Sequence, residues 1–445
     1  MRPGAWQAHP ARVVVGGFAA AVALGTALLM LPAAAEDGRA TGLVDALFTA
    51  TSAVCLTGLV VVDTPTHWST FGELVILGLI QVGGLGTMTL ATLLAVLVAR
   101  RISLRMRLIA QAETKSIDAG DLRRVLLGIA GTTAAVEAAT AVVLAGRFLI
   151  GYDVTPGRAA YLGVFHAVSA FNNAGFALFS DNLMSFVADP WVCLPIAFAV
   201  IIGGIGFPVL LETRRALLGT RAWSAHARIT LVGTALLLAG GTLLVTALEW
   251  RNPGTLGALP VPSRLLAGFF HAVMPRTAGF NSLDMAAMQP DTLMVTNILM
   301  FVGGGSAGTA GGVKITTAAI LLLGVWNEIR GRPDVTLGWR RVPEPVYRQA
   351  LAIVALGLSL VSGAVIVLLS VTPFTVGQVL FECVSAFATV GLSTGITYDL
   401  PSSAELVLTV LMFAGRVGPI TLGAALALRT RTRRYDFPEG RPIIG

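Results

Sequence analysis

The chain has 445 residues, 55% of them hydrophobic and only 12% charged, with a formal net charge of +7. A water-soluble domain carries about 25% charged residues, so an ordinary soluble globule is excluded and a lipid bilayer is the expected solvent. The basic residues gather in the links between apolar stretches, as membrane topology requires, and do not point to nucleic-acid binding.

The first apolar stretch, 13–31, follows Arg2 and Arg12 and runs out at Ala33-Ala34-Ala35. It fits a secretory signal or a retained first span, and retention is expected because the later copies of the same unit keep their opening helix. Seven more stretches reach the roughly 20 residues needed to cross the hydrocarbon core. They lie at 73–99, 125–150, 191–211, 229–248, 292–325 (with a break), 350–371 and 405–428.

Between them, four shorter segments lead up to a glycine: FTATSAVCLTGL at 48–59, FHAVSAFNNAGF at 165–176, FHAVMPRTAGF at 270–280 and FECVSAFATVGL at 381–392. They recur about every 110 residues, the signature of a repeat. The third is one residue shorter between its aromatic lead and its glycine, and carries Pro275. The predicted units are 1–100, 101–213, 214–326 and 327–429, with a tail at 430–445. Segments this short cannot span, so each enters and returns on one side. Irregular backbone at membrane depth survives only where it lines a wet cavity or is buried in protein. The expected fold is therefore an all-α polytopic membrane protein, with four pseudo-symmetric helix–re-entrant loop–helix units and eight transmembrane helices around one central pore.

Arginines and lysines crowd 100–124, 214–228, 330–348 and 429–441, which predicts that these links and both termini are cytoplasmic. The loops then open outward, beside Glu36, Asp37, Asp45, Asp63, Asp153, Asp181, Asp284 and Asp399. Cys55, Cys193 and Cys383 form no spaced framework and imply neither a disulfide nor a metal site.

A pore for bare ions must replace water with protein oxygens, and a row of backbone carbonyls does this without burying a fixed charge. Aiming successive carbonyls at one axis needs backbone angles that enter the left-handed region, which glycine does freely. Gly58, Gly175, Gly279 and Gly391 fit that need, and the candidate oxygen donors are the residues before them: Leu56 and Thr57, Asn173 and Ala174, Thr277 and Ala278, Thr389 and Val390. The C-terminal ends of the short helices add partial negative charge at the same point. With no carboxylate in the loops, a monovalent cation is expected over a divalent one.

Downstream, Gly83-Gly84-Leu85-Gly86, Gly203-Gly204-Ile205-Gly206 and Gly415-Arg416-Val417-Gly418 recur at matching distances, and small residues there allow close helix packing. The third unit instead has Gly303, Gly304, Gly305, Gly308, Gly311 and Gly312, with Ser306 among them. At about 1 kcal/mol per glycine relative to alanine, the helix should break at 303–314 and form an intramembrane gate. A phosphate-binding loop is excluded, because Val313 separates Gly312 from Lys314. Lys314 and Arg416 are costly at this depth. Arg416 is expected to limit leak and hold the gate, or else to form a structural ion pair or a hydrogen bond to the broken helix. Arg276 is expected to pin the third loop to a carboxylate, Glu137 to bond between helices, His166 and His271 to brace loops, and Asn172 to hold filter backbone.

The loops CLTGL, NNAGF, RTAGF and ATVGL, with IQVGGLGTMTL, IGGIGFPVL, GGGSAGTAGGVKITT and FAGRVGPITLG, resemble the Trk/Ktr/HKT superfamily of cation transporters over nearly the whole chain, and among them the bacterial Ktr-type potassium-translocating subunits. The resemblance implies a potassium pore with no covalent cofactor, potassium held at the four loops, a gating loop at Gly303 to Gly312 and a pore arginine at Arg416. It also implies a homodimer in the bacterial plasma membrane, a cytosolic ring of nucleotide-binding regulatory subunits and sodium as an activator. In HKT relatives a serine at the first filter glycine goes with sodium transport, so Gly58 points to potassium. Two other readings remain open at this stage. One is a potassium/sodium symporter working by alternating access, although such carriers usually have inverted repeats and these repeats are parallel. The other is a membrane enzyme, for which no catalytic constellation of His, Asp, Glu or Ser is visible.

Overall fold

The computed structural model describes residues 10–101, 119–219, 222–332, 336–337 and 340–428. Arg2, most of the basic link 100–124 (residues 102–118), residue 221 of the second link and all of 429–441 with the rest of the tail lie outside them. The described chain is nearly all helix. A two-residue hairpin, β1 (Thr336–Leu337) with β2 (Arg340–Arg341), sits in the link before the last unit.

The helices follow one plan four times: an outer helix, a short re-entrant helix and an inner helix. In the first unit these are α1 (Pro10–Leu29), α2 (Leu43–Cys55) and α4 (Thr70–Arg101), with a single turn, α3 (Thr64–His67), between the last two. The second unit has α5 (Ala119–Gly151), α6 (Pro156–Phe171) and α7 (Pro190–Ile205), followed by α8 (Phe207–Leu217). The third has α9 (Ala225–Glu249), α10 (Val261–Val273), α11 (Pro290–Phe301) and α12 (Ile315–Ile329). The fourth has α13 (Glu344–Val371), α14 (Val376–Ala388) and α15 (Ser402–Leu428).

Start signals are local. Asp189 accepts a hydrogen bond from the Trp191 N–H ahead of Pro190, Ser224 caps α9, and Thr375 with Gln378 forms a capping box on α14. Four described helices are long and apolar enough to cross a membrane: α5 and α9, α13, and α4 over Thr70–Thr89. The 191–211 span predicted as one helix is bent by 100° between α7 and α8. Gly206 takes φ +95 at the break, next to Pro208, so neither backbone angles nor the missing N–H let the helix continue. The break predicted within 292–325 is present, between α11 and α12.

The units interlock head to tail. Each inner helix packs on the next unit's re-entrant helix: α4 on α6, α7 on α10, α11 on α14, and α15 back on α2. Phe48, Phe165, Phe270 and Phe381, the aromatic leads of the repeats, are all fully buried in this ring. The three cysteines are buried and free.

Candidate functional site

All four re-entrant helices stop a few residues short of their glycine, and the backbone then alternates hand. Gly58, Gly175, Gly279 and Gly391 have φ of 86, 75, 69 and 94, as expected. Two residues earlier, Leu56, Asn173, Thr277 and Thr389 are also left-handed, at φ 59, 57, 71 and 52. For a residue with a Cβ this conformation costs about 1–2 kcal/mol, and such strain persists only where its surroundings over-determine it. These four side chains share no chemistry, so no sequence signal marked them as strained. The alternation turns successive peptide planes in register in all four loops.

The loops meet in a closed ring. A methyl group on Gly58 would strike the carbonyl oxygen of Ala174 and lie 3.1 Å from the Gly175 Cα. One on Gly175 would sit 2.7 Å from the Ala278 oxygen and 3.1 Å from the Gly279 Cα. One on Gly279 would meet the Val390 oxygen, and one on Gly391 the Thr57 oxygen, each 3.0 Å from the next glycine's Cα. Every predicted filter residue is thus brought to one place, first loop to second to third to fourth and back to first. The short-helix C-termini face this ring, adding negative potential without a carboxylate.

Serines that sequence reasoning passed over hold three of the loops. Ser52 Oγ accepts from the Gly58 N–H at 3.0 Å and donates to the Leu59 carbonyl at 2.7 Å. Ser169 Oγ donates to the Phe176 carbonyl at 2.8 Å, and Ser385 Oγ accepts from the Gly391 N–H at 3.0 Å. Each lies four residues after its aromatic lead, a spacing readable in the repeats. In the third loop Met274 occupies that place.

In three of the units the residue after the lead braces the chain beyond the glycine, as expected for the histidines; in the first it is Thr49, whose buried hydroxyl does not. His166 Nε2 accepts from the Leu178 N–H at 3.2 Å, and the His271 ring lies 3.1 Å from Thr296 Oγ1. In the fourth unit the same position is Glu382, fully buried, which accepts from Ser393 Oγ, the Thr394 N–H and Thr397 Oγ1 at 2.5, 3.1 and 3.0 Å. The loops themselves lack carboxylates, but one therefore stands behind the fourth. Asn172 does not hold filter backbone: its amide donates to Gln81, Glu137 and the Val168 carbonyl of its own helix, at 2.9, 3.0 and 2.9 Å. Glu137 bonds between helices, as expected.

Outside the ring, a vestibule of about 230 Å³ is lined by Gly58, Gly175 and Gly391 and by Asp63, Asp181 and Asp284. Ser180 Oγ donates to Asp63 at 2.7 Å across the first two units.

On the other side, the glycine segment between α11 and α12 packs directly against the ring. Gly303 leaves only 3.4 Å between an added methyl and Thr277 Cγ2, a methyl on Gly311 would strike Thr389 Oγ1, and one on Gly312 would lie 3.3 Å from Ala388. The segment is pinned by backbone: Gly303 N–H to Val313 at 2.8 Å, Gly305 N–H to Gly204 at 2.8 Å and Thr309 N–H to Gly203 at 3.2 Å. Gly304, Gly305 and Gly308 back onto the Gly203 to Gly206 turn, where a Cβ would meet main chain. Ser306 Oγ lies 3.2 Å from Thr316 Oγ1. Thr309 Oγ1 is 2.9 Å from the side-chain amide of Asn173, one of the four strained loop residues.

Three cations hold carbonyls of this segment. Arg416, 3% exposed, donates to the Thr309 carbonyl at 2.5 Å and to Thr87 Oγ1 at 3.1 Å. Lys314 Nζ donates to the Ala310 carbonyl. Arg276 Nη2 lies 3.5 Å from the Gly303 carbonyl. No carboxylate among the described residues pairs with Arg276, so the expected carboxylate anchor is corrected to a carbonyl of the glycine segment.

A chain of this architecture has close relatives. Residues 13–429 match TrkH, described as a cation transport protein. The chain belongs to the TrkH cation transporter family. It is 40% identical to the Ktr system potassium uptake protein B of Bacillus subtilis, over 98% of this chain and 97% of that one. It is 37% identical to the protein of the same name from Vibrio alginolyticus, over 98% and 94%. The potassium/sodium uptake protein NtpJ of Enterococcus hirae is 35% identical, over 98% and 97%. In fold it is similar to the crystal structure of the potassium transporter TrkH from Vibrio parahaemolyticus, with a TM-score of 0.72 at 18% identity over 94% and 84% of the two chains. It is thus a multi-pass membrane transporter of TrkH type and not an enzyme.

Proposed function

We propose that this chain carries potassium inward across the bacterial plasma membrane through a channel-like pore, as the translocating subunit of a Ktr-type system. The observation that carries the reading is the closed ring of four loops, each left-handed at its glycine and two residues before it. Carbonyls of Leu56, Thr57, Asn173, Ala174, Thr277, Ala278, Thr389 and Val390 replace the water of a dehydrating ion, and the short-helix dipoles offset its charge. Asp63, Asp181 and Asp284 raise the local cation concentration at the mouth.

Below the filter, residues 303–314 form the gate. In the arrangement described, Gly303, Gly304, Gly305, Gly308, Gly311 and Gly312 are buried, and Arg416 fixes the carbonyl of Thr309 while opposing a cation beneath the ring. Conduction requires this segment to withdraw, breaking the Arg416 and Lys314 contacts. Each of the four units (1–100, 101–213, 214–326 and 327–429) contributes one loop. Both termini are cytoplasmic, and the basic links dock a cytosolic ring of nucleotide-binding subunits beneath a homodimer. The names of the relatives, potassium uptake in two and potassium/sodium uptake in the third, support potassium as cargo. In the proposed system sodium acts as an activator.

The test is flux. Purified protein in liposomes should pass potassium in preference to sodium, and Gly58→Ser should relax that preference. Equal passage of the two ions by the parent protein would overturn the reading.

A further inference from the structure

Arg276 stands where filter, gate and outer helix meet, and half of its guanidinium is unused. Its side chain is 6% exposed, its Nη2 reaches only the Gly303 carbonyl, and its Nη1 has no partner. A buried donor left unpaired costs about 1–3 kcal/mol, and more when charged. Beside it is a small cavity of about 10 Å³ bounded by Arg276, Thr234, Ile201, Gly204 and Gly304. That is about the space one water molecule needs. Thr234, on α9, is also 6% exposed, and its Oγ1 is also without a partner. Two residues, one in the turn after α10 and one on α9, each with a buried polar atom left unpaired, thus border one void of the right size.

We propose that this cavity binds a single ordered water bridging Arg276 Nη1 and Thr234 Oγ1, and that the arginine so anchored is a positioning residue coupling the hinge of the glycine segment to the third filter loop. Arg276 immediately precedes the strained Thr277, so the guanidinium fixes the backbone that enters the filter. Its other contact is Gly303, the first residue of the segment that must move. Withdrawal of the segment removes one of its two anchors and leaves the water and Thr234 to hold the loop. The third loop is the one without a serine brace, which is why it depends on this arrangement. The inference rests on the filter-and-gate reading above.

The test uses the full chain in liposomes, with Thr234→Val, Arg276→Lys and Arg276→Gln. Thr234→Val touches neither the filter nor the glycine segment, yet should lower the potassium-to-sodium flux ratio about 5-fold, the equivalent of one buried hydrogen bond. It should also speed thiol labelling of Ser306→Cys, and neither readout follows from a loss of folded protein alone. Arg276→Gln should lower the ratio further, and Arg276→Lys, which keeps the charge, should fall between it and the parent. A map resolving buried waters should show one between Nη1 and Oγ1. An empty cavity in such a map, or a parent-like ratio and labelling rate in Thr234→Val, overturns the proposal, and if the arginine variants fail to fold Thr234→Val decides alone. Where Gly58→Ser shifts the ratio but Thr234→Val does not, this inference fails and the filter reading stands; where Gly58→Ser has no effect, the filter reading itself has failed.

Discussion

The third re-entrant loop and the other three reach the same backbone by different means. In the first, second and fourth, a serine in the last turn of the short helix ties its own loop: Ser52, Ser169 and Ser385 bond to the glycine N–H, to the carbonyl just beyond it, or to both. The third has Met274 there: its Ala278 N–H bonds the Met274 carbonyl at 3.0 Å, as Thr57, Ala174 and Val390 bond the serine carbonyls, but its Gly279 N–H, with no hydroxyl to meet, turns to that same carbonyl at 3.4 Å. Its side-chain anchor, Arg276, points to the glycine segment that follows in its own unit. The difference teaches that three loops carry a serine brace of their own, while the third takes its side-chain anchor from the glycine segment; the second touches that segment as well, through Asn173 and Thr309.

That asymmetry can be broken at either end. The largest effect is expected from Gly279→Ala, which adds a methyl at φ 69 against the Val390 carbonyl. Potassium uptake should fall by more than 10-fold, because αL strain of about 1–2 kcal/mol adds to a main-chain clash between neighbouring units. Arg416→Gln comes next. It removes a cation facing the path and its bond to Thr309, so potassium flux through the purified, reconstituted protein should rise several-fold, roughly the factor of 5 to 30 that 1–2 kcal/mol represents. Unchanged flux would retire its gating role.

Smaller effects sharpen the contrast. Ser385→Ala orphans the buried Gly391 N–H at about 1–3 kcal/mol and should lower the potassium-to-sodium flux ratio about 5-fold. The smallest effect is expected at the vestibule. Asp63→Asn should reduce uptake about 2-fold at low ionic strength and not at high salt, because charge at an open mouth acts through a screened field.

Much of this organisation was legible in the sequence, for reasons that can be stated. The four glycines, the aromatic leads and the break after Phe301 recur or cluster, and repetition turns a weak local signal into a strong one. The second left-handed position could not be read, because Leu56, Asn173, Thr277 and Thr389 have no common side-chain property; the strain there is imposed by ring closure. The bend at Gly206 was hidden inside an apolar run long enough to be one span, although Pro208 marked it. Ser52, Ser169 and Ser385 were readable from their constant offset and were overlooked because serine in a short apolar helix commonly bonds its own backbone. The partner of Arg276 lay out of reach of any pattern. A buried guanidinium suggests a carboxylate, and only the fold shows that the glycine segment puts a carbonyl there instead.

The most direct test of the central claim is where a potassium-like ion sits. Anomalous diffraction from crystals of the protein in thallium, which mimics potassium, should place ion density on the axis of the ring, within coordination distance of the carbonyls of Thr57, Ala174, Ala278 and Val390. Density confined to the vestibule, or absent from the ring in crystals that show thallium elsewhere, would contradict the account.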